Sequence, residues 1–81
     1  MRIHVQFYSY FADLTGCSVV VEELQPGSTI DDLLNQLHRR FPKLAGSKGS
    51  TLVAVGVDYA PRSYTLKEGD AVALFPPVQG G

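Results

Sequence analysis

The sequence has few residues that could form disulfides or bind a metal ion. It contains one cysteine, Cys17, and two histidines, His4 and His38. An internal disulfide is excluded because Cys17 has no second cysteine to pair with. The cysteine and histidines lack the paired spacing of a zinc site, and no neighbour of Cys17 in the sequence carries a positive charge that would activate a thiol. We therefore expect no bound metal, and an inert Cys17 at a loop or strand edge.

The chain also lacks a large excess of charge and a long apolar segment. Its formal net charge is −1, and charged residues make up 19% of the composition against 44% hydrophobic residues. This composition is typical of a globular protein and gives no basic patch of the kind that binds nucleic acid or an anionic membrane. No apolar run has the roughly 20 residues of a membrane span, and the first residues have no signal-peptide pattern. We expect a soluble, cytoplasmic protein that binds neither nucleic acid nor membrane.

Common enzyme motifs are absent as well. The sequence has no glycine-rich phosphate loop and no convincing Ser-His-Asp set. Asp31 and Asp32 would point about 100° apart on a helix, so we interpret them as residues of a solvated, capped first turn. The pair Arg39 and Arg40 is interpreted as a solvated last turn, where positive charge suits the helix dipole. The domain is therefore expected to have no catalytic site of its own.

Hydrophobic periodicity predicts one small α+β domain. Apolar residues recur with helical spacing after a capping residue, Ser28 or Thr29, and Pro42 ends the helix. The residues of this stripe are Ile30, Leu33, Leu34, Leu37 and Phe41. Alternating or β-branched runs predict strands at 2–8, 18–24, 52–57 and 71–75, with a minor strand near Tyr64 and Leu66. Loops are expected at 9–16, with room for a short helical turn, and at 43–50.

These elements predict how the sheet is assembled. The first two strands are close in sequence, which favours an antiparallel hairpin. The single helix stripe has to pack on one face of one sheet. A mixed sheet with one main helix on one face is the β-grasp, or ubiquitin-like, arrangement, although the pattern also permits other small α+β sheets.

The last seven residues, 75–81, are the most distinctive stretch. Pro76 and Pro77 have fixed φ and no backbone N–H, so they end the strand and favour an extended exit. Six residues beyond Phe75 reach roughly 20 Å when extended. We expect a domain at 1–75 and a flexible tail at 76–81, which could bring the α-carboxylate of Gly81 into another protein's active site. That carboxylate would need activation before it could accept sulfur or an amine.

Several segments together resemble a known family. They are 11–16 (Phe-Ala-Asp-Leu-Thr-Gly), 66–72 (Leu-Lys-Glu-Gly-Asp-Ala-Val) and the ending Pro-Pro-Val-Gln-Gly-Gly after Phe75. The whole chain resembles the ubiquitin-like sulfur carriers of the MoaD/ThiS family, above all the small subunits of molybdopterin synthase, the MoaD type. At position 56, where relatives often carry Asn, this chain has Gly, and both residues tolerate a positive φ.

The resemblance implies a function for the tail. Gly81 would be adenylated by an adenylyltransferase related to ubiquitin-activating enzymes, which consumes ATP, and a sulfur donor would convert it to a thiocarboxylate. The chain itself would bind no cofactor. The tail residues Pro76, Pro77, Val78, Gln79 and Gly80 would insert into the large subunit of a heterotetrameric synthase, whose active site passes the sulfur to cyclic pyranopterin monophosphate.

The resemblance also implies a docking surface on the sheet. By position, Tyr8, Tyr59 and Phe75 would supply it, on the face away from the helix. Three other functions stay open at this point: a sulfur carrier for thiamine thiazole or tRNA thiolation, a ubiquitin-like modifier joined to lysines through Gly81, and an interaction module whose tail is incidental.

Overall fold

The computed structural model describes residues 1–77, apart from the side chains at positions 45, 47 and 48. In chain order its elements are β1 (Arg2–Phe7), α1 (Tyr10–Thr15), β2 (Val19–Glu23), α2 (Ile30–Arg40), a 3-10 helix (Pro42–Ser50), β3 (Leu52–Val55), β4 (Asp58–Tyr59) and β5 (Ala71–Phe75). None of the helices in this part of the chain is long and apolar enough to cross a membrane.

The strands form one mixed sheet in the order β2-β1-β5-β3-β4. The predicted hairpin is confirmed, because β1 and β2 pair in antiparallel register from Arg2↔Glu23 to Gln6↔Val19. The chain crosses over through α2, so that β5 lies parallel to β1 and antiparallel to β3. The strand that leads into the tail is therefore the middle strand of the sheet.

Helix α2 begins at a capping box. The sequence offered two candidates for the N-cap, Ser28 and Thr29. Thr29 is the N-cap, and its hydroxyl accepts a hydrogen bond from the Asp32 N–H at 3.3 Å. The Asp32 carboxylate accepts in return from the Thr29 N–H at 2.9 Å. These two bonds satisfy N–H groups that have no partner inside the helix, and they place an acidic residue at the positive end of the helix dipole.

The core lies between α2 and the inward faces of β1 and β5. Apolar residues of the helix and the two strands are almost fully buried, namely Ile30, Leu33, Leu34, Leu37, Ile3, Val5, Val72 and Leu74. This confirms the predicted packing of the helical stripe. Phe41, the last residue of the stripe, is only partly buried, because it is the non-helical C-cap before Pro42. Its ring packs nearly perpendicular to the ring of Phe7, with centroids 5.7 Å apart.

The structure differs from the sequence prediction in its short segments. The third strand ends at Val55, two residues early, because Gly56 takes a φ of 64° and starts a two-residue turn to β4. Glycine and asparagine both tolerate this positive φ. The predicted minor strand reduces to one bridge, between Thr29 and Thr65. The run 52–57 is apolar and favoured a strand buried on both faces, which is wrong at Leu52, because this residue is exposed on the face away from α2.

One predicted loop contains the short helical turn for which the sequence left room, and a second contains a helix that was not predicted. The loop after β1 holds α1, which places Phe11 in the core, and the loop after α2 is the 3-10 helix, which contributes Leu44. Among the side chains that the structure describes, each helix has one buried apolar residue, so neither shows a helical period that the sequence could reveal.

A buried carboxylate changes the interpretation of Arg40. Glu22 is 2% exposed on the inward face of β2, opposite Ile3. Its carboxylate accepts a hydrogen bond from Gln36 Nε2 at 2.9 Å and forms an ion pair with the Arg40 guanidinium. The interpretation of both arginines as a merely solvated turn is therefore wrong for Arg40, which lies one helical turn after Gln36 and faces β2.

Replacing Arg40 should destabilise the fold although its side chain is half exposed. Arg40→Ala leaves the Glu22 carboxylate with Gln36 as its remaining side-chain partner, and an under-satisfied buried acceptor typically costs about 1–3 kcal/mol. Arg39→Ala is the matched control, because it removes the same charge from the same helical turn on an exposed side chain. A change within about 0.5 kcal/mol is expected there. Urea denaturation of both variants measures the difference.

A double variant separates this ion pair from the contact between Arg40 and the Phe41 ring, whose centroid lies 5.2 Å from the guanidinium carbon. In a Glu22→Gln background, Arg40→Ala should cost less, because the neutral amide needs no guanidinium. Equal costs in both backgrounds would show that the ion pair does not stabilise the protein.

Candidate functional site

The aromatic residues proposed for docking lie on the face of the sheet that α2 leaves open. Side chains alternate between the two faces of a strand, and paired residues share a face. Phe75 pairs with Leu52, and Tyr59 pairs with Ala54, opposite the inward-facing Val53 and Leu74. Tyr8 follows the inward-facing Phe7 and is exposed. The structure thus brings Tyr8, Tyr59 and Phe75 to one surface, and their role in binding a partner stays a prediction.

Tyr8 and Phe75 stack on each other at the end of the central strand pair. Their ring centroids are 4.6 Å apart and the ring planes differ by 12°. Tyr8 is 38% exposed, whereas Phe75 is only partly so. Phe75 is less exposed than a docking residue would be expected to be, because the Tyr8 ring covers one of its faces.

A shallow apolar groove separates this stack from Tyr59. The groove has a volume of about 260 Å³, and its walls include Tyr8, Phe75, Val57 and Tyr59. Small residues, Ala54, Gly56 and Ala73, line it as well. Tyr59 is 75% exposed and Val57 is 96% exposed, and exposed apolar side chains that lie together in this way are typical of a binding surface. The surface can bind apolar groups.

Sequence reasoning missed the valines of this face. Val19, Val21 and Val57 are large exposed apolar residues, and the first two pair with the outward-facing Gln6 and His4. The alternation of β1, together with the register of the predicted hairpin, would have placed Val19 and Val21 here. Val57 could not be found in this way, because the sequence placed it in a strand, whereas it lies in a turn.

The last strand ends where the sequence predicted, whereas the domain boundary and a flexible tail stay predictions. Strand β5 ends at Phe75, and Pro76 and Pro77 follow it, each partly buried. The remaining predicted tail residues, Val78, Gln79, Gly80 and Gly81, lie outside the described residues. The attachment of sulfur at Gly81 therefore stays a prediction.

Other parts of the described surface give no catalytic site. Within residues 1–77, no three side chains of His, Cys, Asp or Glu come together as they would to hold a metal ion. Cys17 is partly buried, and its thiol lies 3.8 Å from the carbonyl oxygen of Thr15. A larger cleft of about 660 Å³, between the end of β2 and α2, is lined mainly by polar residues such as Glu23, Asn35 and Arg39. We assign it no function.

The sheet order, the single main helix and the central last strand define the class: this is a ubiquitin-like, β-grasp domain. Within that class the chain belongs to the ThiS family, whose family model matches residues 5–81. The match includes the last four residues as well as the described fold.

Two relatives align with almost the entire chain. A molybdopterin synthase sulfur carrier subunit of Haemophilus influenzae is 32% identical over 81 residues, covering 98% of this chain and 99% of the relative. Small archaeal modifier protein 3 of Haloferax volcanii is 28% identical over 92 residues, with both chains covered completely.

Two solved structures have the same fold. A putative molybdopterin converting factor subunit 1 of Pyrococcus furiosus has a TM-score of 0.88 at 27% identity, covering 96% of this chain and 99% of that one. Subunits 1 and 2 of the molybdopterin-converting factor of Helicobacter pylori were solved as a complex. The matching chain has a TM-score of 0.69 at 21% identity, and both chains are covered completely.

Proposed function

We propose that the chain is the sulfur-carrier subunit of a molybdopterin synthase. The observation that carries this proposal is the end-to-end similarity to the Haemophilus influenzae sulfur carrier subunit, 32% identical over 98% of this chain. The ending Gly80-Gly81 and the two prolines before it support it, because they suit a narrow tail that presents a terminal carboxylate.

The proposed chemistry takes place at Gly81 and needs other proteins. The ionised carboxylate is a poor acyl donor, so a ubiquitin-activating-like adenylyltransferase joins it to AMP, consuming ATP and releasing pyrophosphate. A sulfur donor then displaces AMP and leaves a thiocarboxylate. In the large subunit the thiocarboxylate gives its sulfur to cyclic pyranopterin monophosphate, and water restores the carboxylate. This chain contributes no cofactor of its own.

The large subunit is proposed to bind both the open sheet face and the tail. The open face is supported as the docking surface by its exposed apolar residues, Tyr59 and Val57 in particular. The Helicobacter pylori complex of subunits 1 and 2 is a precedent for such an assembly among proteins of this fold. The proposed assembly is a heterotetramer, and its active site is proposed to lie in the large subunit.

The experiment begins with the purified chain, the adenylyltransferase, ATP and a sulfur donor. Intact-mass and fragment spectra should show one oxygen replaced by sulfur at Gly81. Added large subunit should then form molybdopterin from the pterin precursor. A chain that is never thiolated would refute the proposal.

A second candidate function is that of a protein modifier, favoured by the similarity to small archaeal modifier protein 3. It predicts a different product in the same spectra, an amide bond between the Gly81 carbonyl and a lysine amine of another protein. A sulfur carrier for thiazole or tRNA thiolation would be thiolated at Gly81 but would not support molybdopterin formation.

A further inference from the structure

The backbone hydrogen bonds that fix β5 stop where the tail begins. On the β3 side the last pair is Leu52↔Phe75, and on the β1 side the last bond runs from the Tyr8 N–H to the Leu74 carbonyl at 3.1 Å. Pro76 and Pro77 have no N–H and cannot donate a further hydrogen bond to either ladder. The direction in which the chain leaves the sheet therefore depends on side-chain contacts at Phe75.

Tyr8 is well placed to provide that contact, because its own backbone is held on both sides. Its N–H donates to Leu74, and its carbonyl oxygen accepts from the Phe11 N–H at 3.2 Å. Ser9 makes the turn between them with a φ of 57°, a conformation that residues other than glycine seldom adopt. Phe11 is fully buried, so the turn is anchored in the core. The backbone of Tyr8 is thus held in place, and its ring covers one face of Phe75.

We propose that Tyr8 is a positioning residue for the tail. Its stacked ring holds Phe75 and thereby sets the direction in which Pro76 and Pro77 leave the sheet. This inference rests on the proposed function for its kinetic consequence. It goes beyond docking, because a docking residue only holds the partner, whereas this ring determines where the reacting terminus arrives. A displacement of about 1 Å at a reacting group can cost roughly a hundredfold in rate.

Kinetics separate positioning from docking. The thiocarboxylated full-length chain is mixed with increasing large subunit, and single-turnover sulfur transfer gives a maximal rate and a half-saturating concentration. Tyr8→Ala should lower the maximal rate at least about tenfold, since the tail is misdirected even in the saturated complex. Tyr8→Phe keeps the stacking ring and should retain the wild-type maximal rate.

Tyr59→Ala is the matched control. Tyr59 is the same residue type on the same groove, but it lies on β4, which pairs with β3 and not with β1. Its replacement should raise the half-saturating concentration and leave the maximal rate unchanged. The proposal is overturned if Tyr8→Ala behaves like Tyr59→Ala, or if Tyr8→Phe loses the rate as well, since the hydroxyl would then be the important group.

A second measurement does not depend on sulfur chemistry. In the free protein, the ¹³Cα relaxation order parameters of Pro76 and Pro77 should fall in Tyr8→Ala and stay at the wild-type level in Tyr8→Phe and Tyr59→Ala. Unchanged order parameters in Tyr8→Ala would refute the positioning role. If the wild-type chain is never thiolated, the proposed function fails, and this measurement still tests the inference about Tyr8.

Discussion

Deleting Gly81 is expected to abolish sulfur transfer while the domain stays folded. The deletion moves the terminal carboxylate back by about 3.5 Å, the length of one extended residue. Because misplacement of a reacting group by about 1 Å can cost roughly a hundredfold in rate, we expect at least that loss. The buried cluster that forms the core lies within residues 3–74, so the unfolding midpoint should not change. Molybdopterin formation with purified partners is the assay.

Two further variants distinguish the reach of the tail from the chemistry of its terminus. Deleting Gln79 keeps the Gly-Gly ending but shortens the tail by the same length, and adding one alanine after Gly81 lengthens it. Both should still bind the large subunit and fail in sulfur transfer. Normal turnover by the Gly81 deletion would show that the chemistry does not take place on that carboxylate, and the sulfur-carrier proposal would have to be abandoned.

Replacing Leu34 by alanine should cause a large loss of stability, about 2–5 kcal/mol. Leu34 lies in the middle of α2, is 1% exposed and belongs to the buried cluster with β1 and β5. Alanine is itself a better helix former than leucine, so the loss would come from the cavity and the missing contacts. Folded globular proteins are stable by only about 5–15 kcal/mol, and the variant should unfold at clearly lower denaturant concentration.

Leu34→Met is the matched control for this prediction. Methionine has a similar volume and a flexible side chain, so its cost should stay below about 1.5 kcal/mol. Guanidinium denaturation followed by circular dichroism measures both variants against the unmodified chain. A loss below about 1 kcal/mol for Leu34→Ala would be incompatible with burial of the helix stripe against the sheet.

The sequence alone predicted those elements that are long enough to show a repeating pattern of apolar residues. The spacing from Ile30 to Leu37 predicted α2 and the face it buries, and the alternation at Ile3, Val5 and Phe7 predicted β1. By contrast, the described side chains of α1 and of the 3-10 helix include one buried apolar residue each, Phe11 and Leu44, which gives no pattern. Short elements of this kind depend on contacts with distant parts of the chain.

The candidate site, too, could be predicted only in part from the sequence. Alternation along each strand was enough to place Tyr8 and Phe75 on the open face. Their stacking could not be predicted, since it depends on the parallel register of β1 and β5, which only the crossover through α2 establishes. The burial of Glu22 could not be predicted either, because the side chains that compensate its charge lie on α2, 14 and 18 residues further along the chain.

The position of β5 between β1 and β3 determines how the domain responds to mechanical force. β1 and β5 run parallel, so a pull applied between the start of β1 and the end of β5 acts along both strands in opposite directions. Their hydrogen bonds are then loaded together in shear, instead of opening one after another as they do when a hairpin is peeled apart. A protein machine that drew on the tail to unfold this domain would load the middle strand of the sheet first.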